Sequence, residues 1–234
     1  IMQNLALKKI EYTAIGESLY RVILPNRLRL FLLPKTNFHE TYGIMTVNFG
    51  SVDTYFVPRG TKQAIHYPAG IAHFLEHKLF EDENGNDLLQ EFVDLGAESN
   101  AFTSFTKTSY LFSTTENVEE CLELLQDLIG EAYFTEESVQ REQGIIQQEI
   151  EMYQDNPDYR LFFSALANLY PGTALAQDIA GNRESIAEIT VEDLDENFET
   201  FYHPSNMSLF LVGNFDLEKT VATISEKQNS YEIK

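Results

Sequence analysis

The order of its strand-like and helix-like segments constrains the fold of this chain more than any other feature of the sequence. Strand-like runs come first, helical periodicity dominates the middle, and one more strand-like run occupies residues 207–212. Clustered strands followed by clustered helices favour an α+β arrangement over alternating βαβ units. The order therefore predicts an α+β fold in which helices cover a mostly antiparallel β-sheet.

Apolar spacing and turn signals give the individual elements. Residues 19–23 and 27–33 flank Pro25-Asn26 and resemble a hairpin, 42–49 resembles a third strand, and 99–115 resembles a strand pair broken near Lys107. Helical spacing covers 70–80, 118–129, 138–153, 159–169 and about 217–225. Pro157 is expected to stop the segment 138–153. Thr190 and Asp193 match a capping box that opens a helix towards residue 201. Without a repeat or linker, we expect one domain over 1–234.

Composition excludes several classes of function. The chain has 16 Lys and Arg against 37 Asp and Glu, a formal charge of −21, which disfavours nucleic acid as a partner. The apolar runs 28–33 and 207–212 are much shorter than the ~18 residues of a membrane span. A single cysteine, Cys121, excludes an intrachain disulfide and lies in an apolar pattern typical of a core. These features predict a soluble, cytoplasmic protein with no membrane or nucleic-acid partner.

The string His73-x-x-Glu76-His77 carries the clearest chemical signal. Residues four apart on a helix lie about 40° apart around the axis and roughly 6 Å along it, so both imidazoles share one face. Such a pair can bind one metal ion, and Glu76 on much the same face can accept a proton from water. On these five residues alone, an ordinary polar helix face with two half-exposed histidines stays an alternative.

A catalytic zinc site usually has three protein ligands, so a third must come from another element. The helix around Glu149 is the best source, because Glu142 and Glu149 are seven residues apart and return to nearly the same face. One of them could bind the metal while the other orients a histidine ligand. The carboxylates of Glu137, Glu151 and Asp155 lie nearby in sequence, and spacing alone does not choose among the five, nor does it exclude a solvated helix face.

Four blocks of sequence resemble the pitrilysin or insulinase family of zinc peptidases, in the same order. They are residues 70–80, which contain the His-x-x-Glu-His motif known from inverzincins, 99–104, 141–149 and 201–207. The resemblance covers nearly the whole chain and is strongest to the smaller, bacterial processing-peptidase-like members.

The resemblance implies a role for each matched residue. It implies that His73, His77 and Glu149 bind one zinc ion per chain, that Glu76 is the general base, and that Glu142 supports the site. It further implies that the strand containing Asn100, Ala101 and Phe102 holds a peptide substrate as an added strand, with the aromatic ring near the residue before the scissile bond. An ordinary interior strand stays the alternative for these three residues.

The same resemblance implies that the chain is the zinc-bearing half of a clamshell-type metalloendopeptidase, because members commonly pair two similar halves. We therefore expect a second, non-zinc half or partner subunit, without which this half is a poor catalyst. The acidic charge favours basic, flexible peptides as substrates. The alternative is a non-catalytic structural or peptide-holding subunit. His203 is expected to be structural at a helix-to-strand turn, and His39 and His66 to be solvated.

Overall fold

The computed structural model describes residues 5–231, so both ends of the expected 1–234 domain lie outside the described residues. The strands are β1 (Lys8–Tyr12), β2 (Glu17–Ile23), β3 (Arg29–Pro34), β4 (Thr41–Val47), β5 (Tyr55–Phe56), β6 (Ile65–His66), β7 (Glu98–Thr103), β8 (Thr108–Thr114) and β9 (Met207–Gly213). The helices are α1 (Ile71–Lys78), α2 (Leu88–Asp94), α3 (Val118–Gly130), α4 (Glu136–Gln154), α5 (Pro157–Leu169), α6 (Arg183–Glu188), α7 (Val191–Phe201) and α8 (Leu217–Ser230). Short 3-10 turns lie at Ala174–Ala176 and Pro204–Asn206.

Seven strands form one sheet in the order β1-β2-β3-β9-β4-β8-β7, and β5 pairs with β6 separately. Within the seven-stranded sheet only β3 and β9 run parallel, so the sheet is mostly antiparallel. The predicted α+β class is therefore confirmed. The last strand, β9, lies between β3 and β4, while β7 is an edge strand.

One face of the sheet is buried under the helices. Burial alternates residue by residue along β4 and β9, and inward side chains such as Leu30, Met45 and Leu209 have at most 1% exposure. Fully buried side chains of α1 and α3, among them Phe74 and Leu122, belong to the same core. Because α1 packs on β7 and β8, the helix that carries the histidines lies at the β7 edge of the sheet.

Most of the predicted segments correspond to elements at shifted boundaries, and the capping box is present as Thr190 accepts from Asp193 N. Pro157 does follow the end of α4, but it also occupies the first turn of α5, where its missing N–H costs nothing, so α5 begins before the predicted residue 159. The sequence patterns missed β1, α2, α6 and the β5–β6 pair, which are short or largely exposed.

Among residues 5–231, no helix has the length and apolar character that crossing a membrane requires.

Candidate metal centre

Helix α1 presents both histidines on one face because its apolar residues are held in the core. Ile71, Ala72, Phe74 and Leu75 are at most 1% exposed, which leaves His73 and His77 on the remaining face. The helix starts after Gly70, whose φ of +92° is a conformation that side chains rarely adopt. A Cβ at Gly70 would lie 2.5 Å from the Ala180 carbonyl oxygen, so glycine also allows the close approach of these two segments.

Three predicted ligands converge on one point. Nε2 of His73 and Nε2 of His77 are 3.2 Å apart, and they lie 3.7 Å and 3.3 Å from the two carboxylate oxygens of Glu149 on α4. Ligands about 2.0–2.1 Å from a tetrahedral zinc ion lie about 3.4 Å from each other. The spacing and the two-imidazole, one-carboxylate donor set therefore fit a catalytic-type zinc site with three protein ligands.

Glu142 contacts the far side of His77. Nδ1 of His77 lies 2.9 Å from Oε1 of Glu142, whose side chain is 13% exposed. Burial alone would lower the pKa of His77, but the hydrogen bonds to Glu142 and Glu149 outweigh it and raise the pKa to about 10. Glu142 and Glu149 thus lie on one face of α4 and contact opposite nitrogens of the same imidazole, as their seven-residue spacing suggested.

His73 has the opposite electrostatic character. Its burial lowers the pKa of the imidazole to about 4, and the neighbouring His77 adds to this effect. His73 is therefore neutral at pH 7, which is the form that binds a metal ion.

The other carboxylates considered from the sequence lie elsewhere. Glu137, Glu151 and Asp155 are exposed, and Glu151 lies 3.7 Å from Arg183. None of these three belongs to the His-His-Glu group in the described part of the chain.

Glu76 lies beside the group and is not part of it. Thr103 at the end of β7 donates a hydrogen bond of 2.5 Å from its hydroxyl to Oε2 of Glu76. Burial raises the pKa of Glu76, although Thr103 and His77 act against the increase. Thr103 was not predicted; it lies within the matched block 99–104, but its contact depends on how α1 packs against the edge strand.

The predicted substrate strand is β7, at the edge of the sheet. Asn100 and Phe102 are exposed, whereas Ala101 packs against the core, as expected for alternating side chains. Ala101 pairs with the buried Tyr110 and so faces the helices; Phe102, 47% exposed, faces the other side of the sheet. The aromatic ring thus points away from the face on which Thr103 meets Glu76, and a role in substrate binding stays a prediction for all three residues.

The remaining singled-out residues lie outside the centre. His203 accepts a hydrogen bond from Ser205 N in the turn between α7 and β9, and Cys121 is buried, which raises the pKa of its thiol to about 11. His39 is exposed. His66 is exposed too, as expected, and its ring stacks on Tyr55 with 4.2 Å between the ring centroids. The ring contact depends on the β5–β6 pairing, which the sequence patterns missed.

Comparison with known proteins finds relatives among the peptidases. Residues 55–183 match the family described as Insulinase (Peptidase family M16), and residues 188–234 match the one described as Peptidase M16 inactive domain. The uncharacterized zinc protease YmfH of Bacillus subtilis is 51% identical over 95% of this chain and 52% of its own length. The beta subunit of the mitochondrial-processing peptidase of Rattus norvegicus is 30% identical over 74% of this chain and 36% of its own.

Solved structures show the same relationship. The crystal structure of a putative M16-like peptidase from Alicyclobacillus acidocaldarius has a TM-score of 0.87 and 36% identity, covering 100% of this chain and 52% of that one. The chain thus spans about half the length of YmfH and of this M16-like peptidase. With matches over most of its residues, the chain belongs to the insulinase family of peptidases, M16.

Proposed function

We propose that this chain is the zinc-bearing half of an endopeptidase that hydrolyses peptides or unfolded polypeptides. The observation that carries the proposal is the convergence of two imidazole nitrogens and a carboxylate next to a further, half-buried carboxylate, that of Glu76. In this proposal His73, His77 and Glu149 hold one zinc ion per chain, and Glu76 is the general base. The zinc proteases among the relatives support the choice of metal.

A bound zinc ion would supply Lewis acidity, which polarises a peptide carbonyl and favours loss of a proton from water at neutral pH. The protein's residues do the remaining work. Glu76 accepts the proton of the attacking water, and its raised pKa makes it a stronger base than an exposed carboxylate. It then returns the proton to the leaving amine, while Thr103 holds its carboxylate in place. Glu142 fixes Nδ1 of His77 as a donor, so that Nε2 stays available to the metal.

The substrate is proposed to bind along β7 as an added strand in an enclosed cavity. An edge strand offers main-chain donors and acceptors to any extended peptide, independently of its side chains. The end of β7 lies beside the base, because Thr103 contacts Glu76. Asn100, Ala101 and Phe102 would therefore contact the peptide close to the bond that is cut.

Efficient turnover is proposed to need a second, non-zinc half or a partner subunit. The chain spans about half the length of relatives such as YmfH of Bacillus subtilis, so the remaining half of such a protein could supply catalytic groups. A donor that stabilises the oxyanion of the transition state is worth about 3–4 kcal/mol, so a half that lacks it is a slow catalyst.

The strongly acidic chain is proposed to favour basic, flexible peptides. A charge of −21 attracts cationic segments, and this attraction is screened by salt. The apparent affinity for a Lys- and Arg-rich peptide should therefore fall as salt increases. An affinity that is independent of salt would leave the charge with a role in solubility only.

Glu76→Gln tests the proposed function. The variant should retain zinc, measured by mass spectrometry of the metal, but lose cleavage of an unstructured peptide mixture, because Gln cannot accept the proton. Glu137→Gln, an exposed carboxylate on α4, is the matched control and should cleave like the unmodified chain. Equal cleavage by Glu76→Gln would refute the assigned base. Bound zinc without any cleavage, even with the second half added, would favour the alternative of a peptide-holding subunit.

A further inference from the structure

A continuous set of contacts connects Glu149 to the segment that precedes the histidine helix. It begins at Tyr153, one turn after Glu149 on α4, whose hydroxyl interacts with the Glu149 carboxylate and helps to lower the pKa of that carboxylate. Side chains four residues apart on a helix lie next to each other, so this contact needs no rearrangement of the backbone. A Tyr153 ring held in this place restricts the rotamers that the Glu149 side chain can adopt.

Tyr153 is itself held by Tyr159 in the first turn of α5. The two rings stack with centroids 4.8 Å apart and planes 13° from parallel. The Tyr159 hydroxyl donates a hydrogen bond of 2.5 Å to Oδ1 of Asp178, and the same oxygen accepts the backbone N–H of Ala180 at 2.9 Å. Because α5 has no buried residue, its position depends on a small number of such contacts.

The loop that contains Asp178 is packed tightly against the start of α1. A Cβ at Gly181 would lie 2.4 Å from the Ala69 carbonyl oxygen, which shows how closely the two backbones approach. Ser185 donates a hydrogen bond of 2.8 Å to the same carbonyl oxygen. The contacts therefore lead from Glu149 on α4, through α5 and this loop, back to the helix that carries His73 and His77.

We propose that Tyr159 and Asp178 form a positioning pair that acts through Tyr153 to hold the Glu149 carboxylate towards the two histidines. The proposal rests on the proposed function, in which Glu149 is a zinc ligand. A glutamate side chain loses rotamer freedom when it binds a metal, and a carboxylate that is already oriented loses less. The pair therefore raises zinc affinity without touching the metal itself.

Tyr159→Phe tests the proposal, because it removes the hydroxyl and keeps the ring that stacks on Tyr153. We expect its zinc dissociation constant, measured by competition with a chelating dye, to rise about threefold. This is less than the effect of removing a group that contacts a metal ligand directly, because Tyr159 acts through Tyr153. Tyr153→Phe removes the hydroxyl next to Glu149 itself and should raise the constant more, by about tenfold. Tyr170→Phe is the matched control, since this hydroxyl near the end of α5 makes no hydrogen bond within residues 5–231.

Two further measurements separate positioning from plain stabilisation. The visible spectrum of the cobalt(II)-substituted protein reports the ligand geometry, and the melting temperature of the metal-free protein reports the fold. The proposal predicts a changed cobalt spectrum in Tyr159→Phe and weaker zinc binding. A lower melting temperature together with an unmodified spectrum and zinc affinity would overturn it.

Asp178→Asn is the second variant, for use if Tyr159→Phe does not fold. It keeps an acceptor oxygen of the same shape, so zinc affinity should lie between those of the unmodified chain and Asp178→Ala. Equal affinity in Asp178→Ala and the unmodified chain would overturn the proposal. Failure of the proposed function looks different: the unmodified chain would then bind zinc no more tightly than Glu149→Gln.

Discussion

Replacing Glu142 by Gln isolates the electrostatic contribution of this carboxylate to the metal centre. The side chain keeps its size and an acceptor oxygen 2.9 Å from Nδ1 of His77, but it loses the charge. Loss of a group that orients a histidine ligand typically costs 10- to 100-fold in metal affinity, about 1.4–2.7 kcal/mol. Because Gln retains the acceptor, we expect a loss near tenfold, and Glu142→Ala should lie nearer the upper figure.

Protons compete with zinc for His77, so the zinc affinity depends on pH. The pKa of His77 determines the direction of this dependence. With a pKa of about 10, His77 is protonated at pH 7, and zinc must displace that proton from Nε2. The apparent zinc affinity of the unmodified chain should therefore rise about tenfold per pH unit between pH 7 and 9. Without the charge of Glu142 the pKa falls, so the slope of Glu142→Gln should decrease within the same range.

Competition with a zinc chelator between pH 6.5 and 9 measures both effects. Glu137→Gln, five residues earlier on α4 and exposed, removes a carboxylate of equal charge at a distance from the centre and should behave like the unmodified chain. The reasoning is refuted if Glu142→Gln has the affinity and the pH slope of the unmodified chain throughout this range.

Three further predictions concern stability. Glu81→Ala leaves the fully buried Lys78 without its carboxylate partner and should lower the free energy of unfolding, measured in urea, by about 3–5 kcal/mol. The double variant Lys78→Met, Glu81→Ala should recover most of this loss, because no unpaired charge is then buried. Gly70→Ala should lower the free energy of unfolding by more than about 2 kcal/mol, because its Cβ would be strained at positive φ and would also overlap the Ala180 carbonyl. Gly60 is also at positive φ but has open space around it, so Gly60→Ala should cost only about 1 kcal/mol. Equal losses in the two variants would contradict the effect of the overlap. Zinc at 100 times its dissociation constant should add about 2.7 kcal/mol to the free energy of unfolding, which raises the melting temperature by roughly 5–10 °C. If a chelator that removes the zinc leaves the melting temperature unchanged, the chain does not bind zinc in the folded state.

The sequence pattern was sufficient to predict site residues that lie on the same helix. His73 and His77 on α1, and Glu142 and Glu149 on α4, each follow from helical spacing, and the resemblance to the family supplied the pairing between the two helices. The distances between α1 and α4 were beyond the sequence, because they depend on how both helices pack over the sheet.

Contacts between distant elements explain the parts that were missed. Thr103 meets Glu76 only because β7 lies beside α1, and no spacing rule relates these two residues. Asp178 lies in a loop with no periodic signal, so its bond to Tyr159 could not be anticipated. Strand β1 is largely exposed and α2 has only seven residues, which leaves both without a strong hydrophobic pattern.

The central position of β9 has a consequence for how this protein is made. Strand β9 lies between β3 and β4 and pairs with both. Ser208 on β9 pairs with Arg29 on β3, about 180 residues earlier in the chain. Until residue 213 has left the ribosome, β1-β2-β3 and β4-β8-β7 are two separate half-sheets, each with an open edge next to buried-type residues such as Leu32 and Met45. Pairing of β9 with both half-sheets is thus a late, long-range and slow step. A chain that is interrupted before β9 exposes two unpaired sheet edges, which favour aggregation or binding to chaperones.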